Sequence, residues 1–472
     1  MKISRQKLIY SVLFTFFILY LFNGCAATRT AVKFYDPITT DLSFGRYEDA
    51  SKKIDLAKTQ NQYVEKDRVL YYLDKGIVLY YAGQHQQSNE YFDKAELAME
   101  ELFTKSISKA AASFILNDNV MDYFGEIYEN IYINVFKALN YINMDQFNEA
   151  YVEIKRVNDK LRELDTKYGD MAREMNSAED AHDNIKYISP NFYNNALANY
   201  LSYLVFRADR EYDNSRISFE KMQEAFQTQP KVYDYQIPAS LQSATLADGS
   251  DRFDQNSNIL SILAFTGQAP FKRAVGGQIT TYDDAIGIHG LEMPIALPNI
   301  YFPGVKSGYH FKFAFPALTV NPSKIAFVEV YVDGQKIGEL EVLEKMDQIA
   351  KYTFDSRMTM VAVKTILRTV SKGLLAAEGK KKLKEKTGAN AFWGTVLNAA
   401  ADIAVDATEN PDLRGWRTMP QTCYAGEFPI TPGRHNVEIR FLQRDRIVVD
   451  KKVYPEFEVK NNINLVDAYS FN

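Results

Sequence analysis

The chain has 472 residues, 46% hydrophobic and 24% charged, with 55 Lys and Arg against 60 Asp and Glu for a net charge of −5. These proportions exclude a small disulfide scaffold, a largely disordered chain and a multi-span membrane protein. No basic stripe of the kind phosphate backbones require is present, which argues against nucleic acid as a partner. At roughly 100–200 residues per domain the length predicts two to four domains. The 31 Tyr and 30 Phe, against 2 Trp, are expected to form interhelix packing.

Lys2, Arg5 and Lys7 form a positive n-region ahead of an apolar run from Leu8 to Phe22, and Asn23-Gly24-Cys25 follows. This is signal-peptide anatomy, and the run is shorter than the about 20 apolar residues of a membrane-spanning helix. Its end resembles a bacterial lipoprotein lipobox, with Phe22 in the usual Leu position and Asn23 in the usual Ala or Ser position. The resemblance implies cleavage of residues 1–24 and acylation of Cys25, which would tether the body to a lipid bilayer; an uncleaved anchor is the alternative. Ala26 in place of Asp implies sorting to the outer membrane, lipid-anchored on the periplasmic face. Cleavage removes three cations and no acid, taking the charge from −5 to −5 − 3 = −8. With Cys25 acylated, Cys423 has no cysteine left to pair with and reads as a packed structural residue.

Residues 25–228 read as helical, with aromatic and aliphatic side chains at 3.6-type spacing. From Leu70 to Leu97, Gly76, Leu79, Gly83, Ser88, Phe92 and Ala95 fall at the spacings of a tetratricopeptide repeat. Gly76 and Ser88 are small where two helices touch, and Gly83 permits a tight turn. Weaker copies align on Ala50, Ala150 and Ser215, so successive units lie 38, 62 and 65 residues apart, against a regular period of about 34. The surplus, notably Lys155 to Asp183, is expected as helical extensions or loops. Stacked repeats line a groove for a peptide or helix. Tyr80, Tyr81, Asn143 and Arg207 would point into it, or else pack against inserted helices.

Residues 229–303 carry scattered Gly, Pro, Asp and Asn and read as a linking region. Residues 304–472 read as β-rich, with Asp333-Gly334 turning one hairpin and Arg434 to Phe441 with Arg446 to Val453 forming a second after Thr431-Pro432-Gly433, and suggest an antiparallel sandwich. Between the hairpins, at about 344–408, two apolar stripes predict an inserted helical hairpin: Met346, Ala350, Phe354, Met358, Val361, Leu367, Val370 and Leu374, then Phe392 to Ala407. Its turn carries Lys380, Lys381, Lys382 and Lys384, a solvated cluster or one that meets anionic lipid or glycan.

Four stretches together resemble an uncharacterised family of tetratricopeptide-containing bacterial lipoproteins: Tyr128 to Leu161, Leu263 to Lys272, Arg357 to Lys372, and Asp412 to Pro420. The last resembles an Asp-Leu-Arg-x-Trp-x-x-Leu-Pro motif with Met419 in the Leu position. The resemblance implies an α+β multidomain architecture at the cell envelope and brings no activity with it. Trp416 reads as a plug in the sandwich, with Arg414 and Arg417 tying down loops; alternatively the three could stack on and hold a sugar or aromatic ligand. No H-E-x-x-H, G-x-S-x-G or P-loop is present. The expected protein is therefore a non-catalytic adaptor without metal or cofactor, binding envelope proteins through its helical groove. The alternative is a glycan- or peptidoglycan-binding lipoprotein that uses its β domain.

Overall fold

The computed structural model describes residues 32–108, 121–176, 189, 192–290, 300–301, 305–378, 411–460 and 463–472. Cys25, the lipobox and the stretch expected to form the second inserted helix with its basic turn lie outside the described residues. Among the described residues no helix is long and apolar enough to cross a membrane.

The N-terminal half is a run of helical hairpins. The first pairs α1 (Val32–Ser43) with α2 (Tyr47–Thr59), and the second α3 (Arg68–Tyr81) with α4 (His85–Ser108). The third joins α5 (Ile127–Asn143) to the long α6 (Phe147–Asn176), and the fourth joins α7 (Ala196–Ala208) to α8 (Tyr212–Thr228). One turn recurs in all four. Gly45, Gly83, Asp145 and Arg210 each adopt positive φ, at 69°, 71°, 56° and 61°. The residue after each sends its N–H back to a carbonyl five positions earlier: Arg46 to Asp41, Gln84 to Leu79, Gln146 to Tyr141 and Glu211 to Phe206, at 2.8–2.9 Å. This left-handed stop caps the first helix and reverses the chain. Five positions after each turn stands the small, buried residue of the sequence alignment, Ala50, Ser88, Ala150 or Ser215. Ser88 and Ser215 donate to the carbonyls of Gly76 and Tyr203 at 2.7 and 3.1 Å, tying the paired helices together. A Cβ on Gly76 would lie 2.8 Å from the Phe92 ring, so close approach requires the glycine.

The C-terminal half is β-rich. Its strands are β1 (Ile259–Thr266), β2 (Phe271–Tyr282), β3 (Ala285–Gly290), β4 (Ile300–Tyr301), β5 (His310–Thr319), β6 (Phe327–Val332) and β7 (Gln335–Lys345). After helix α9 (Met346–Glu378) come β8 (Thr422–Pro429), β9 (Arg434–Leu442), β10 (Val448–Glu458) and β11 (Leu465–Ser470). Both expected hairpins form, β6–β7 around Asp333-Gly334 and β9–β10.

The stretch expected to link the halves instead supplies β1 to β4, and β1 is an inner strand of the seven-stranded sheet ordered β10-β9-β6-β7-β8-β1-β11. β1 runs antiparallel to β8 and parallel to β11. A two-sheet sandwich would bury two inner faces against each other. Here the seven-stranded sheet curls, its edges approaching where the Tyr454 hydroxyl of β10 donates to the Asp467 carbonyl of β11 at 2.8 Å. It encloses its own core of Leu260, Ile262, Val328, Val330, Ile439 and Phe441. A separate four-stranded sheet, β4-β3-β2-β5, lies against α9. Met346, Ala350, Phe354, Met358, Val370 and Leu374 of α9 are buried, as the apolar stripe requires.

Candidate functional site

The first helices of the second, third and fourth hairpins present tyrosines to the β half, where Tyr80, Tyr132, Tyr200 and Tyr203 meet carboxylates. From α3, the Tyr80 hydroxyl donates to Asp467 on β11, which also accepts from Asn143 Nδ2 at 3.2 Å. Beside it Tyr81 donates to the Thr418 carbonyl at 3.1 Å, and the Tyr469 hydroxyl donates to the Tyr81 carbonyl at 2.7 Å. From α5, Tyr132 donates to Glu344 on β7 at 2.7 Å; Tyr233 and the Leu197 N–H take its other oxygen at 3.0 and 3.3 Å. From α7, Tyr200 and Tyr203 donate to the two oxygens of Glu427 on β8 at 2.9 and 3.1 Å. Ser261 and the Arg252 guanidinium complete that carboxylate's shell. Arg207 donates to the carbonyls of Arg252, at 2.6 Å, and of Ser257.

The face these helices present is thus covered by the chain's own β half. Tyr80, Tyr81 and Arg207 are buried, and with Asn143 they bind the protein's own β half. The expectation that they receive a separate envelope protein is corrected on this point. The physical reason is directional. A phenol can give one hydrogen bond from an apolar ring, so it can line a groove and still satisfy a carboxylate that burial would otherwise leave bare. Burial pushes the Glu344 carboxyl upward, against the opposing pull of its Tyr132, Leu197 and Tyr233 donors.

A second polar cluster centres on the segment 412–420, which inserts between the halves. Asp74 of α3 accepts from Tyr35 at 2.9 Å, Tyr63 at 2.7 Å and Thr418 at 2.6 Å. Glu129 of α5 accepts from Tyr123 and, at 2.7 Å, from the Trp416 N–H. Burial pushes Asp74 up to about 7 and drives Glu129 in the same direction. Arg414 is anchored, with Nη1 2.9 Å from Asp67 and Nη2 2.7 Å from Asp412. Arg417 lies between the Tyr35 and Phe271 rings, 5.7 and 5.3 Å from their centroids.

Trp416 is 0% exposed and meets Phe92 and Phe136 edge-on, at 5.8 and 6.1 Å between centroids. It plugs the seam of the helical half, not a sandwich. With no face open it cannot stack on a sugar, and the ligand-stacking reading of Trp416, Arg414 and Arg417 is corrected accordingly. Cys423 is buried with its thiol pushed up by burial, which leaves it unreactive.

A cleft of about 430 Å³ opens between α4, the start of α5 and α6. Its central charges are mutually paired. Burial would raise Glu96, yet Lys160 and Lys137 bring it down to about 2, and Lys137 also meets Asp93 and Glu153 at 2.7 and 3.0 Å. Among the described residues no group of three or more His, Cys, Asp or Glu could hold a metal ion.

Sequence reading missed Asp74, Glu129, Glu344, Glu427 and Asp467, together with Tyr132, Tyr200, Tyr203 and Arg252. The available signal is the tyrosine count, 31 in all. No family model, no curated protein and no solved structure matches the chain.

Proposed function

We propose that this chain is a non-catalytic adaptor of the bacterial envelope, held at the outer membrane through an acylated Cys25 and facing the periplasm. Its helical half is of tetratricopeptide type, a reading supported by the turn that recurs four times with a small residue five positions on. The observation that carries the proposal is the filled groove. Its tyrosines fasten the two halves into one body, so the surface left for an envelope protein is the outer one. There Leu56, Leu97, Val152 and Ile217 stand 55%, 69%, 50% and 43% exposed on α2, α4, α6 and α8. Binding to cell-wall glycan has less support, because Trp416, its best aromatic platform, has no open face.

Full-length protein in native membranes tests this. Cys25→Ser should move the protein from the membrane pellet to the soluble fraction. Leu97→Glu combined with Val152→Glu should lose the envelope proteins that cross-link to the unaltered chain. Retention by purified cell wall, with no cross-linked protein partner, would overturn the adaptor reading in favour of a glycan binder.

A further inference from the structure

Among the described residues, the buried cations Lys272, Arg357 and Arg414 near the 412–420 segment have carboxylate partners, and Arg417 has none. Arg414 pairs with Asp67 and Asp412, and both Lys272 and Arg357 pair with Glu126. Arg417 is 6% exposed, and its Nε and Nη2 are both buried without a hydrogen-bond acceptor. These two nitrogens form one edge of the guanidinium fork, whose parallel N–H groups match two oxygens of a carboxylate or phosphate. Cζ of the same group stands over the Tyr35 and Phe271 rings, 5.7 and 5.3 Å from their centroids.

The nearby Asp74 does not serve the edge. Its Oδ1 is taken by Thr418 and its Oδ2 by Tyr35 and Tyr63. The adjacent Trp416 Nε1 is also buried without an acceptor. A buried guanidinium edge with no acceptor is costly for a fold to carry.

We propose that the Nε–Nη2 edge of Arg417 holds a small free oxyanion, bound bidentately at the junction of the two halves. Charge favours an anion over water. Among the described residues, Arg357, Lys272, Arg414 and Arg417 face the carboxylates Asp67, Asp412 and Glu126. Burial drives Asp74 and Glu129 toward their neutral forms. Arg417 makes no ion pair among the described residues, and its Nε and Nη2 are left without an acceptor.

The test uses the full chain. Sodium phosphate and sodium acetate are titrated against sodium chloride at matched ionic strength, with the thermal midpoint as readout. One of the two oxyanions should raise the midpoint saturably by several degrees, since a ligand that binds only the folded state stabilises it. Arg417→Lys, which keeps the charge and loses the planar edge, should lose that rise. Phosphate and acetate that merely track chloride, or a rise that Arg417→Lys retains in full, would overturn the proposal. If the variant does not fold, crystals of the unaltered protein soaked in selenate decide: an anomalous peak at the Nε–Nη2 edge supports the site, and a lone water there overturns it.

Discussion

Strand β1 separates two interiors built on opposite principles. Leu260, Ile262 and Ala264 point into the curled sheet, among Val328, Ile439 and Phe441. On the opposite face Leu263 and Phe265 pack toward the helical half, while Ser261 donates to Glu427 beside Tyr200, Tyr203 and Arg252. The first interior is held by non-directional burial, which tolerates swaps that conserve volume. The second depends on hydrogen bonds to buried carboxylates, where losing one partner strands another. The difference teaches that the enclosed sheet supplies stability, whereas the groove fixes how the halves are registered on each other.

The largest expected effect breaks the polar side. Glu427→Ala leaves the fully buried Arg252 unpaired and should cost about 3–5 kcal/mol, read as a drop in the denaturant midpoint. A cost no larger than that of an ordinary surface substitution would refute the groove as a registering contact.

Tyr132→Phe is gentler, because Glu344 keeps Tyr233 and the Leu197 N–H. It should cost about 1–2 kcal/mol and raise amide exchange across both α5 and β7. Exchange confined to α5 would show that the carboxylate is held without the tyrosine.

On the apolar side, Ile262→Val should cost about 1 kcal/mol and leave the registration of the halves unchanged, as judged by cross-links between α3 and β11. Altered cross-links would collapse the distinction between the two interiors.

An effect of a different kind, spread across a pH window, comes from Asp74, pushed up to about 7 from an ordinary 3.8 by burial. A raised carboxyl in the folded state holds its proton more tightly than in the unfolded chain. Its contribution to stability is complete below its ordinary value and is lost as pH climbs toward 7. Asp74→Asn should therefore flatten the decline of stability across that window; parallel profiles for the two proteins would remove Asp74 from the account.

Much of the helical half was legible because its turns need special backbone. Gly83 and the small residues at 50, 88, 150 and 215 mark hairpins through local sterics alone. Asp333-Gly334 was equally plain, since both residues take positive φ at 49° and 80°. β1 was not legible. All eight of its residues are buried, so Ile259 to Thr266 shows no alternation of polar and apolar positions. The carboxylate partners were hidden for another reason. Glu344, Glu427 and Asp467 look like ordinary surface acids in sequence, and only the docking of the helical half turns them inward. The burial of Trp416 was readable from its size, but its seat on Phe92 and Phe136 required the fold.

The parallel pairing of β1 with β11 sets Ile262 opposite Val466, far away along the chain, with β8 on the other side of the same strand. Contacts of such long sequence separation form late and slowly. Until they form, an eight-residue apolar strand waits with both edges open, the profile of a segment that sticks to its own kind. The helical hairpins close through local contacts, and the face of β1 that carries Leu263 and Phe265 packs toward them.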